Sequence, residues 1–185
     1  MNTLINQLED LSLRLVRPED APEIFSLVDG SRVSLREFLP WLDHNKTVQD
    51  TEKFLESCVI AMENKKSFTF AIVYKESIAG IVSYHPIDWS NKIADLGYWI
   101  SVYHRGKGLG RLAVSKILKH AFEELKLNRI SIACATENKA SQKIPESLNF
   151  KFEGVKRDAE WLYDHFVDHN IYSILRTEWL ALSRC

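Results

Sequence analysis

Three glycines in five residues, Gly106-Lys107-Gly108-Leu109-Gly110, stand between two long apolar patterns. Ala94–Val102 (ADLGYWISV) before them reads as a strand, and Leu109–Leu125 after them as an amphipathic helix. The chain is therefore committed here to a strand, a glycine loop and a helix in succession. Glycine lets the loop take φ > 0 and removes each Cβ that would block a ligand. The helix behind it turns its free N–H groups back at the loop. Arg105, Lys107 and Arg111 add positive charge, so the unit suits a phosphate. Its spacing is G-x-G-x-G, not the dinucleotide-binding G-x-G-x-x-G, and it follows a strand deep in the chain. Lys107 is followed by Gly108, so the nucleotide-binding G-K-[ST] ending is absent as well.

The rest of the chain alternates in the same way. Leu11–Leu15 has the period of a half-buried strand, and Asp20 is placed to cap a helix running to about Val28. Thr47 to Asp50 opens a second helix, on which Phe54, Leu55, Cys58, Val59 and Met62 recur at helical spacing. Ser67–Tyr74 and Ile78–Tyr84 read as strands joined by a tight turn at Lys75-Glu76. Arg129–Ala135 is a further strand, Ala140–Leu148 a short helix, and Phe150–Val155 and Phe166–Leu175 the last two strands. This order predicts an α/β or α+β sheet with helices on both faces, and one domain over residues 1–185.

Composition narrows the function. Lys plus Arg is 24 against 25 for Asp plus Glu, so the basic footprint of a nucleic-acid binder is missing. No run approaches the ~20 apolar residues of a membrane helix, and Met1 to Ile5 lacks the basic start of a signal peptide. The three cysteines, Cys58, Cys134 and Cys185, are far apart and odd in number. They form neither a disulfide framework nor a metal knuckle, and a reducing cytoplasm is the expected compartment.

Arg105-x-x-Gly108-x-Gly110 resembles the pyrophosphate-binding loop of the GNAT acetyltransferases. A second segment carries the same resemblance. Asn138-Lys139-Ala140-Ser141 opens a short helix that closes at Asn149-Phe150, similar to the N-x-x-S helix ending in Gly-Phe of the RimJ/RimL-like branch. Asn replaces the Gly there, a common substitute at a left-handed helix end. Pro145 falls inside this helix, early enough for its missing N–H to matter little. Gly97-Tyr98-Trp99-Ile100, Glu153-Gly154 and Tyr172 to Arg176 extend the likeness to residues 10–180.

The resemblance implies a GNAT fold: a central mixed, mostly antiparallel seven-stranded sheet flanked by about four helices. It implies acetyl-CoA as cosubstrate, with no metal, and direct acetyl transfer to a primary amine. The branch points to the N-terminal α-amine of a protein, of the ribosomal-protein-serine type. A small amine such as a polyamine, amino acid or aminoglycoside is the alternative acceptor, and a catalytically silent CoA-binding module the alternative class. Carried over, the cofactor residues are Ile100, Val102, Arg105, Gly106, Lys107, Gly108, Leu109, Gly110, Arg111, Asn138 and Ser141. Strand Tyr98–Val102 would offer backbone donors to the pantetheine arm and the oxyanion.

Glu160 matches the carboxylate proposed as base in RimL-like enzymes, and Ser141 the proton donor to the thiolate, with Tyr172 as the other candidate acid. Cys134 reads as a small core hydrophobe. His165 and His169 share one face of a strand as solvated or substrate-facing groups. Trp41, Asp43, Trp89, Trp161, Asp164 and Asp168 are candidates for an acidic, aromatic acceptor rim. An apolar C-terminal helix at Trp179-Leu180-Leu182 offers a surface for a homodimer.

Overall fold

The computed structural model describes residues 10–182, so the Met1 to Ile5 start and Cys185 lie outside the described residues. Seven strands form one sheet: β1 (Leu11–Leu15), β2 (Thr69–Tyr74), β3 (Ser77–Tyr84), β4 (Ile93–Ile100), β5 (Arg129–Ala135), β6 (Lys151–Leu162) and β7 (His165–Leu175). Their order is β1-β2-β3-β4-β5-β7-β6. Every neighbouring pair is antiparallel except β4 with β5. The mixed, mostly antiparallel sheet is as expected.

Among the described residues six α-helices surround it where about four were expected: α1 (Ala21–Gly30), α2 (Arg32–Arg36), α3 (Val48–Glu63), α4 (Leu109–Lys119), α5 (Lys139–Ser147) and α6 (Arg176–Leu182). Helices α2 and α6 have five and seven residues, too short to show a helical period in sequence. Among the described residues no helix is long and apolar enough to cross a membrane.

Alternation along the strands splits the core in two. On one face Leu112, Ile117 and Phe122 pack with Val82, Leu96 and Ile132. On the other, Ile24 and Val28 of α1 and Leu55 of α3 pack on Ala71 and Ile81. The local chemistry is mostly the expected one. Thr47 and Asp50 form a reciprocal cap at the start of α3, satisfying two of its free donors. Lys75 and Glu76 both have φ > 0, as the tight β2–β3 hairpin requires.

Three expectations change. The Asp20 carboxylate does not cap α1; it accepts from Arg14 at 2.9 Å twice and from the Arg17 N–H at 2.8 Å. The helix expected to reach Leu125 leaves α geometry at Lys119 and continues as a π turn, His120–Glu124. There the buried Tyr84 hydroxyl donates to the Ile117 carbonyl at 2.8 Å, a side chain entering the helical ladder. Finally, β6 runs to Leu162 instead of Val155. The register shifts after Lys156, which pairs with His169, and pairing with β7 resumes at Glu160 opposite Val167.

Candidate active site

The sheet opens where β4 meets β5. Their pairing ends at Leu96 opposite Ile132, although β4 continues to Ile100 and β5 to Ala135. The His85 N–H donates to the Asp95 carbonyl at 2.8 Å, and the Ser101 N–H to the Ala79 carbonyl at 2.9 Å. The backbone of odd-numbered residues in β4 thus faces β3. By alternation Tyr98 and Ile100 turn theirs into the gap.

A cavity of about 610 Å³ lies on the α4–α5 side of the gap. Nine of the expected cofactor residues line it: Ile100, Arg105, Gly106, Gly108, Leu109, Gly110, Arg111, Asn138 and Ser141. Gly108 is the N-cap of α4 with φ 72°, and Gly106 has φ 74°. A Cβ on either would meet nothing within 4 Å, so the space beside this backbone is open. Gly110 has another role. Its Cβ would come within 2.8 Å of the Ile144 side chain, so this glycine lets α4 approach α5. Arg105, Arg111 and the unforeseen Lys143 supply positive charge. Open backbone, free donors of an 11-residue helix and three cations fit a pyrophosphate.

Two of the expected cofactor residues do not line this cavity. Val102 is not in the strand but opens a short 3-10 turn, and its N–H donates to Ser31 Oγ at 3.0 Å. Lys107 turns its ammonium to the Tyr103 carbonyl at 3.2 Å and does not line the cavity.

Ser141 of the lining is held in a small polar network. Asn138 caps α5 by accepting the Ser141 N–H at 3.0 Å. Pro145 is the seventh residue of nine in α5, not an early one. It cannot donate to the Ser141 carbonyl four residues back. The Tyr98 hydroxyl donates there instead, at 3.1 Å. Ser141 Oγ in turn donates to the Tyr98 oxygen at 3.1 Å, and Cys134 Sγ lies 3.3 Å from Ser141 Oγ. The Ser141 proton being used, the thiol is the donor in that last contact. Burial raises the pKa of both Tyr98 and Cys134, which keeps them protonated. Helix α5 ends as expected, with Asn149 at φ 60° and the Phe150 N–H on the Pro145 carbonyl at 3.0 Å. Tyr172 lies elsewhere. It is 4% exposed, lines neither cavity, and donates to Glu146 Oε1 at 3.0 Å. Burial and that carboxylate push it up to about 12.

A second cavity, about 630 Å³, opens on the α1–α3 side. The two share Leu39, Tyr98 and Trp99, so they meet at the gap in the sheet. Glu160 lines this second cavity, with its carboxylate 3.6 Å from His169 Nε2. Among the described residues Asp50 and Glu160 are its carboxylates, and no Lys or Arg lines it.

The expected acceptor rim is mostly elsewhere. Of its six residues only Trp41 lines the cavity, with its ring 6.4 Å from that of Trp99. Asp43 binds Arg36, Trp89 donates to the Lys65 carbonyl, Asp164 pairs with His165, and Asp168 accepts from the Asp158 N–H. Trp161 stacks edge-on with Phe166 on the hairpin. Sequence reasoning missed His44, Phe54 and His85, which do line the cavity. Only the α3 period hinted at Phe54. Trp179 of α6 lies against Phe122, so that ring packs within this chain. Among the described residues no group of three His, Cys, Asp or Glu is placed to hold a metal.

A split sheet with a glycine-loop phosphate cradle on one side and a carboxylate on the other defines an acyl-transfer architecture. Residues 10–151 match the acetyltransferase (GNAT) domain family. The chain belongs to this family and is an N-acetyltransferase. It is 33% identical to YdaF of Bacillus subtilis (strain 168), over 92% of this chain and 94% of that one. It is 27% identical to the ribosomal-protein-serine acetyltransferase of Escherichia coli (strain K12), over 94% and 97% of the two chains. Among solved structures, the microcin C7 self-immunity acetyltransferase MccE in complex with acetyl-CoA and AMP superposes with TM-score 0.87. That chain is 30% identical, with 90% of this chain and 93% of that one covered.

Proposed function

We propose that this enzyme transfers the acetyl group of acetyl-CoA directly onto a primary amine in a ternary complex, and that the acceptor is the α-amine of a protein N-terminus. The observation that carries the reading is the meeting of the two cavities at Leu39, Tyr98 and Trp99, with Ser141 on one side and Glu160 on the other. A donor held along α4 and an amine held beside Glu160 approach each other there without a covalent enzyme intermediate. MccE holds acetyl-CoA, and the Escherichia coli relative is named for a ribosomal-protein serine. The acceptor cavity, carrying carboxylates and no Lys or Arg lining, favours an arriving ammonium.

Each step falls to a placed group. Glu160 accepts the proton of the amine, whose ordinary pKa of ~8 asks only for a mild base. The N–H groups of Tyr98 and Ile100 face the developing oxyanion. Ser141, whose hydroxyl otherwise donates to the Tyr98 oxygen, turns to donate to the departing thiolate. In this reading residues 1–185 act as one catalytic domain in the cytoplasm, as a monomer or homodimer. They need no metal, nucleic acid or membrane.

Thiol release from acetyl-CoA, measured against a panel of acceptors, tests the assignment. A peptide with a free N-terminal serine should be acetylated, and the same peptide with a blocked terminus should not. Turnover on a polyamine or aminoglycoside alone would replace the protein acceptor with a small amine. Binding of acetyl-CoA with no transfer to any acceptor would leave a CoA-binding module.

A further inference from the structure

The turn between β6 and β7 is tied to Leu39, which lines the same cavity as Glu160. Tyr163, in that turn at φ 61°, donates its hydroxyl to the Leu39 carbonyl at 2.6 Å, across 124 residues of sequence. Its ring carries the Arg36 guanidinium 3.7 Å from the centroid. Arg36 is itself held by Asp43 through two bonds of 3.0 and 2.8 Å. The phenol is thus gripped by its face and by its oxygen, and Leu39 lines both cavities.

Glu160 stands three residues before Tyr163, and the two flanks of Glu160 differ. Toward Tyr163 the ladder is regular: Trp161 pairs with Phe166 and the buried Leu162 with His165. Such a paired segment transmits position over ~10 Å with little give. On the other flank the register breaks between Lys156 and Glu160, and Asp158 takes φ 45°. A bulge of this kind lets a strand bend and rotate. The position of Glu160 is therefore set from the Tyr163 side.

We propose that Tyr163 is a positioning residue: its bridge to the Leu39 loop, seated by Arg36, fixes the Glu160 carboxylate against the junction where amine and thioester meet. The inference rests on the reading of Glu160 as the base. His169 of β7 faces Glu160 at 3.6 Å, and His44, Asp50 and His85 share its cavity. Tyr163 differs from these in joining the β6–β7 turn to the Leu39 loop.

Tyr163→Phe removes one hydrogen bond and keeps the ring under Arg36. Turnover of the amine should fall about tenfold, the equilibrium worth of one such bond. The thermal unfolding midpoint should fall by only a few degrees, about 2–4 °C per kcal/mol lost, and acetyl-CoA affinity should stay near wild type. The deficit should shrink as pH rises past the pKa of the amine. It should vanish in the Glu160→Gln background, because residues acting through one group are not additive. Arg36→Lys, which loosens the seat without touching β6, is a second probe and should show the same pattern more weakly. Full turnover in Tyr163→Phe, with Glu160→Gln impaired, overturns the bridge alone. So does a deficit that persists at alkaline pH and in the Glu160→Gln background. Normal turnover in Glu160→Gln overturns the base, and the positioning role with it.

Discussion

The two cavities are nearly equal in size, about 610 and 630 Å³, and opposite in almost everything else. The proposed cofactor side is cationic, with Arg105, Arg111 and Lys143 against Glu37, while the proposed acceptor side carries Asp50 and Glu160. The cofactor side takes its glycine loop and cations from Arg105 to Arg111 and Asn138 to Ser147, and is closed by Tyr98 to Ile100 and by residues between Ser34 and Leu39. The acceptor side is gathered from segments between Ile24 and Glu160. A pyrophosphate is held by backbone donors at one helix end, so its site is local in the chain. An acceptor is enclosed by side chains from whatever elements face it, so its site exists only after folding.

That contrast is broken most sharply by removing the proposed base. Glu160→Gln should lower turnover by roughly 10²–10⁴-fold and leave acetyl-CoA affinity unchanged. The loss should shrink as pH rises past ~8, because the amine then arrives already neutral. Steady-state rates from pH 6 to 10, beside calorimetry with acetyl-CoA, check both halves. A loss that alkali does not rescue, with a raised Michaelis constant for the amine, would make Glu160 a substrate-binding group.

The cofactor side should respond in the reverse manner. Gly108→Val places a branched side chain at φ 72° and in the open space beside the loop. A strained φ of this kind costs of order 1–3 kcal/mol before any clash with ligand. Acetyl-CoA affinity should fall about a hundredfold or more while the fold survives. Calorimetry on the folded variant is the check, and unchanged affinity would remove the loop from the site. Arg105→Ala should be milder, about three- to tenfold, because backbone donors remain. A complete loss in Arg105→Ala with Gly108→Val intact would make side-chain charge the main hold.

The smallest effect concerns Cys134. Its thiol is buried, its pKa is raised by that burial, and it donates to Ser141. It is poorly suited to act as a nucleophile. Cys134→Ala should keep turnover within about threefold, with intersecting double-reciprocal plots in both proteins. Parallel plots, or an acetyl group trapped on Cys134, would point to an acyl-enzyme.

What could be read from sequence follows the same division. The strands, the long helices, the glycine loop and the Asn149 helix end are written in periods and punctuation along a few neighbouring residues. Pro145 shows the limit. Its tolerance depends on Tyr98, 47 positions earlier, taking the carbonyl that the proline leaves free. Val102 belonged to an apolar run, yet its N–H is claimed by Ser31 from α1's end. The charged Lys156–Asp158 stretch concealed the continuation of β6, since only β7 beside it restores the ladder. Asp43, Trp89 and Trp161 had the right residue types for a rim, but each found its partner away from the cavity.

The most direct test is a bisubstrate compound, coenzyme A joined through its acetyl carbon to the α-amine of an N-terminal peptide. Two cavities that meet at Tyr98 and Trp99 predict that it competes with acetyl-CoA and with the peptide acceptor alike. It should bind more tightly than either half, because the second contact becomes intramolecular. Its affinity should weaken in Gly108→Val and in acceptor-side Trp41→Ala. Competition with acetyl-CoA alone, and indifference to Trp41→Ala, would mean that the amine reaches the thioester by another route.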